Sequence, residues 1–169
     1  MTEKAPNINQ KSLETLAEIF KETFNNEERR KDTLENKASM VLGFSGIIAG
    51  LITGLMSSSM FDLTAVNIFF TIFLLASVLF FTIAGFFALL TVRLMEYVQP
   101  FRVLKPEEID ELLKTDGEIL QAELIKNYSD SIVDNTALNN RKSLTLRIAF
   151  YSATLGIILT SLAALTVLI

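Results

Sequence analysis

Charged residues are missing from three long stretches of the chain: Ala38–Phe61 (24 residues), Leu63–Val92 (30) and Ile148–Ile169 (22). A helix needs about 20 residues to cross a hydrocarbon core of ~30 Å, so each stretch is long enough to span a bilayer. The stretches are continuously apolar, not alternating, which excludes barrel strands and leaves helices as the structure that satisfies the backbone in lipid. Burying three such helices in a soluble core would require many more helices than this chain can supply. The pattern predicts spans at 38–60, 64–94 and 148–169, with polar segments at 1–37 and 95–147. The first span follows 37 largely polar residues, too far along the chain for the apolar region of a cleaved signal peptide.

The polar segments have a pattern of their own. From about Asn9, with Asn9 or Ser12 as cap, Leu13, Leu16, Ala17, Phe20 and Phe24 fall on one helical face. No glycine or proline interrupts the chain from there to Leu42, so this arm can run straight into the first span. Pro100 marks the end of the second span, Phe101–Leu104 reads as a short interfacial piece, and Pro106 with Glu107 and Glu108 opens a new helix. Gly117 punctuates it. From Glu118 onward Ile125, Tyr128, Ile132, Asn135, Asn139, Lys142, Leu146 and Ala149 repeat at alternating threes and fours, the spacing of a coiled-coil seam. The later half of this seam is polar, so its partner should offer polar groups or water. Two helices at 10–37 and 118–147 are therefore expected to pack their stripes in a small bundle. The fold class predicted is an all-α integral membrane protein, with three transmembrane helices and a cytoplasmic helical bundle.

Charge gives this arrangement a direction. Seven basic residues lie in 1–37 and eight in 93–147, whereas the connection Ser57–Leu63 has none. Positively charged flanks stay cytoplasmic. That places the N-terminus inside a cell (plasma or inner) membrane, the first loop outside with Asp62, and the C-terminus outside. The rest of the composition excludes chemistry. Without histidine or cysteine there are no disulfides, thiolate nucleophiles, Ser-His-Asp triads or Cys/His zinc sites. A net charge of −4 gives no reason to expect nucleic acid. No cofactor and no metal are expected. Glu107, Glu108, Asp110 and Glu111 read as helix-opening acids, and Asp130 with Asp134 as a surface pair, so the chain is not expected to be an enzyme.

Small residues recur every four positions along two spans: Gly46, Gly50, Gly54 and Ser58 in the first, and Ser152, Gly156, Thr160 and Ala164 in the third. Such ridges let helix backbones approach closely. Packing of spans one and three, within a protomer or across an oligomer, is the leading reading. The other is a narrow polar path lined by Ser45, Thr53 and Ser57. The second span is bulky, rich in phenylalanine, and expected to face lipid or wedge between neighbours. No span contains a charged residue, which argues against ion-coupled transporters and proton pumps.

The run Glu28-Arg29-Arg30-Lys31-Asp32-Thr33-Leu34-Glu35-Asn36-Lys37-Ala38, leading into Gly43-Phe44-Ser45-Gly46, resembles the Pycsar transmembrane effectors and the related SLATT effectors. The resemblance covers about residues 10–95, and its sharpest motif is Glu35-Asn36-Lys37-Ala38-Ser39. Those families pair an amphipathic N-terminal helix with two close spans and a helical cytoplasmic part. In antiviral defence they are taken to oligomerise and disrupt the inner membrane on a nucleotide signal. The third span here departs from that plan, and no separate sensor domain is visible. The resemblance implies that Arg29, Arg30, Lys31 and Lys37 meet a phosphate-bearing nucleotide or a lipid headgroup; the plainer reading is flanking positive charge. The functional expectation is an effector-like or channel-like homo-oligomer in the bilayer. The alternative is a non-catalytic anchor or scaffold that binds a cytoplasmic protein.

Overall fold

The computed structural model describes residues 10–57, 68–93, 97–100 and 116–168, and among these there is no strand. Among the described residues there are three helices: α1, Gln10–Ser57; α2, Ile68–Arg93; and α3, Gly117–Leu168. All three are long and apolar enough to cross a membrane, the pattern of a multi-pass membrane protein. The polar arm and first apolar stretch form one 48-residue helix, because nothing in Asn25–Asp32 breaks the backbone ladder. The polar seam and last apolar stretch likewise form one 52-residue helix. Asp116 starts α3: its carbonyl accepts from Leu120 N at 3.0 Å and its Oδ1 from Glu118 N at 3.2 Å, the two bonds of a helix N-cap. The expected helix opening at Pro106, the interfacial piece 101–104, the first loop and Asp62 lie outside the described residues.

The chain divides into two compact units. The first comprises Met1–Arg30 and Glu96–Asn139. Its described residues centre on Phe24, which packs against Tyr97 and Tyr128 with ring centroids 5.7 Å from each. Both contacts are tilted or edge-on, the geometry that the ring quadrupoles favour. Phe24 is thus buried and Phe20 half-buried. The backbone at 97–99 is not helical, although Pro100 lies further on. The carboxamide of Asn135 accounts for this. Val98 N donates to its Oδ1 at 2.9 Å and its Nδ2 donates to Val98 O at 2.8 Å, so both backbone groups are satisfied without a helical ladder.

The second unit comprises Lys31–Met95 and Asn140–Ile169, and holds the apolar part of all three helices. Here α1 and α3 run parallel and α2 antiparallel to both, as the order of contacts shows. Glu35 pairs with Lys142, Thr91 with Thr145, and Phe81 sits against both Phe44 and Gly156. One core cluster is built largely of alanine, with Ala38, Ala84, Ala88, Ala149 and Ala153 around Val41 and Leu146. In lipid there is little hydrophobic drive between helices, and small side chains supply close van der Waals contact in its place. The other cluster, Ile52, Phe70, Leu74, Phe81 and Ala163, uses larger side chains. The outer faces are strongly apolar: Met40, Ile47, Leu51, Leu79 and Phe86 are all more than half exposed. A soluble protein rarely leaves so much contiguous apolar surface in water.

Candidate functional site

Polar side chains that are buried give this molecule its candidate chemistry. In the first unit Asn135 and Asn139 of α3 are fully buried. Asn139 Nδ2 donates to the main-chain oxygen of Glu27 at 2.9 Å and to Glu27 Oε2 at 2.8 Å. Its Oδ1 is buried with no hydrogen-bond partner. Glu27 also accepts from Arg30, at 3.5 Å one turn along α1. In the second unit Lys142 is 1% exposed and forms an ion pair with Glu35 Oε1. An ammonium group carries three donors. Glu35 is the acceptor for Lys142 Nζ among the described residues. Next to it along α3, Thr145 Oγ1 shares a 2.8 Å hydrogen bond with Thr91 Oγ1, and both hydroxyls also reach carbonyls of their own helices. The polar half of the seam thus meets polar partners, one for each residue. Its spacing revealed which face would be buried, but gave no sign that a backbone segment would partner Asn135.

Comparison of the chain with family models, curated proteins and solved structures finds no match.

The two small-residue ridges have different surroundings. A Cβ added at Gly43, Gly46, Gly50 or Gly54 would meet no heavy atom within 4 Å, so that face of α1 is open. Ser58 lies outside the described residues. On α3, Ser152 and Gly156 are buried, Thr160 is half-buried and Ala164 exposed. A Cβ on Gly156 would stand 3.0 Å from two carbons of the Phe81 ring. The third-span ridge therefore receives a phenylalanine of α2, not the glycines of α1. Phe81 is 1% exposed and wedged between α1 and α3, whereas Phe69 and Phe86 face outward. Of the hydroxyls considered for a polar path, Ser45 and Thr53 do not share a surface. Thr53 is exposed and donates to Ala49 O at 2.8 Å, Ser45 is buried without a hydrogen bond, and the Ser57 side chain is outside the described set.

Of the four basic residues grouped by the sequence, Arg29 and Lys37 are exposed, and Arg30 and Lys31 are half-buried. Arg29 and Arg30 belong to the first unit, Lys31 and Lys37 to the second. Asp130 and Asp134 are both exposed, and among the described residues no group of three carboxylates converges on a point. Glu107, Glu108, Asp110 and Glu111 lie outside them.

Proposed function

We propose that the chain is a homo-oligomeric inner-membrane protein, effector-like or channel-like, in which cytoplasmic helices sense a signal and act on the spans. The observation that carries this reading is the continuity of α1 and α3: each is one unbroken helix from its polar half into its apolar half. A ligand or partner that favours one arrangement of the polar halves can bias the spans through an unbroken backbone, provided it binds the two arrangements with different affinity. The open glycine face Gly43, Gly46, Gly50 and Gly54 supports self-association, since backbones approach closely along such a face. The orientation in this reading is N-terminus inside and C-terminus outside, from the distribution of Lys and Arg. By analogy with the effectors it resembles, the signal is a phosphate-bearing nucleotide and the setting antiviral defence.

Two experiments test this. Because the chain has no cysteine, single cysteines can be introduced without background, at residue 21 or 126 for the inner side and residue 62 for the outer. A membrane-impermeant thiol reagent applied to intact cells should label position 62 alone. Purified protein in liposomes should release ions or dye when a nucleotide signal is supplied; no release with any nucleotide tried refutes the effector or channel reading.

Exposed apolar side chains on the polar part of the chain favour a second reading. Ile19 and Ile119 are more than half exposed, as is Val133. These suit a non-catalytic anchor that binds a cytoplasmic protein. Co-purification of one stoichiometric soluble partner, with no conductance, selects it.

A further inference from the structure

Two adjoining hollows lie between α1 and α3 in the second unit. One is apolar, about 290 Å³, and its lining includes Lys37, Met40, Phe44, Phe150, Thr154 and Ile157. The other, about 310 Å³, is more polar, and Arg147, Ser143 and Tyr151 line it together with the same Lys37 and Phe150. Lys37 and Arg147 are both exposed, and neither has a carboxylate within ion-pair distance among the described residues. The nearby Glu35 is engaged by Lys142. Two uncompensated cations therefore stand where two parallel helices pass from polar to apolar sequence, at the head of an apolar groove.

Dimensions identify the occupant. Lys37 to Phe44 is ~10 Å along α1 and Arg147 to Ile157 ~15 Å along α3, which matches one leaflet of a ~30 Å hydrocarbon core. An occupant must be anionic at one end and apolar for the length of a leaflet. Tyr151, two-thirds exposed, is an aromatic side chain with a hydroxyl at headgroup level. We infer that this groove binds one anionic phospholipid, with its phosphate between Lys37 and Arg147 and an acyl chain along Met40, Phe44, Thr154 and Ile157. The two basic groups give charge complementarity that a zwitterionic lipid cannot match, about fivefold per residue and about 25-fold for the pair. The inference rests on the apolar halves being spans.

The test uses the full chain, purified from micelles that contain equal phosphatidylglycerol and phosphatidylcholine, with retained lipid counted by native mass spectrometry. Phosphatidylglycerol should be retained about 25-fold over phosphatidylcholine, and Lys37→Gln/Arg147→Gln should bring the ratio near one. Arg141→Gln, an exposed cation outside both hollows, should leave it unchanged. Soluble glycerol phosphate at the same concentration should fail to displace the lipid; displacement would point to a free phosphate compound and overturn the proposal. A measurement on the unaltered chain guards against misfolded variants: phosphatidylglycerol with a photoreactive acyl chain should label Met40, Phe44, Thr154 or Ile157. Labelling spread evenly over Ile47, Leu51 and Phe86, or equal retention of the two lipids, overturns the site while leaving the spans intact. Failure of the spans gives a different result, a chain that stays in solution without detergent and retains neither lipid.

Discussion

Replacing Glu35 by glutamine keeps the shape of the side chain and removes the charge that faces Lys142. The Lys142 side chain is 2% exposed and that of Glu35 26%, so the substitution strands a buried ammonium while the altered group still meets water. Breaking a fully buried ion pair by removing one partner costs about 3–5 kcal/mol. Here the glutamine oxygen can still accept one hydrogen bond from Lys142, and water reaches the α1 side of the pair. The expected loss is therefore about 2 kcal/mol, below the full penalty. Lys142→Met should cost less, about 1 kcal/mol, because the carboxylate it leaves unpaired is partly hydrated and methionine fills the buried volume. In the double variant nothing is stranded, and its stability should return to within about 1 kcal/mol of the native chain. The double-mutant cycle then gives a coupling of about 2–3 kcal/mol. Reversible unfolding in mixed micelles by rising dodecyl sulfate, followed by far-ultraviolet circular dichroism, reads all four states. If Glu35→Gln changes stability by less than about 0.5 kcal/mol and the coupling is zero, Lys142 is hydrated in the membrane-bound protein and the reasoning fails.

Three further outcomes are expected from the same unfolding assay and from sizing in detergent. Gly156→Ala should destabilise by about 1–3 kcal/mol, because its Cβ would press on the buried Phe81 ring 3.0 Å away; Gly50→Ala should be neutral or stabilising. Gly50→Ile should leave helicity unchanged and reduce the oligomer to a smaller species on sizing; an unchanged oligomer assigns the glycine face to lipid. Ser45→Ala should stabilise by about 1 kcal/mol, since it removes a buried hydroxyl that has no hydrogen bond.

The three long apolar helices were readable from the sequence because a missing charge is a local property, legible whatever packs beside the stretch. The seam was readable for a related reason. Alternating steps of three and four place Asn135, Asn139 and Lys142 on one stripe of α3, and the structure buries all three. Periodicity names a face, however, and says nothing of what covers it. Gly156 and Gly50 carry the same signal, yet one holds a phenylalanine ring and the other meets nothing within 4 Å. That difference depends on the shape of Phe81 on a third helix. The partner of Asn135 was hidden as well, because a backbone amide and carbonyl have no residue signature. Arg147 stood apart from Lys37 by more than a hundred positions, so the sequence grouped Lys37 with its neighbours Arg29, Arg30 and Lys31.

The Asn135–Val98 contact also provides a measurement. Most protected amides in a helical protein are bonded within their own helix, so their exchange reports the opening of that helix. The Val98 N–H is different: its bond runs to a side chain of α3, from a segment with no helical ladder. Its hydrogen–deuterium exchange rate therefore reports the opening of that tertiary contact by itself. A signal that rearranges the first unit should change the deuterium uptake of this amide before any span is probed.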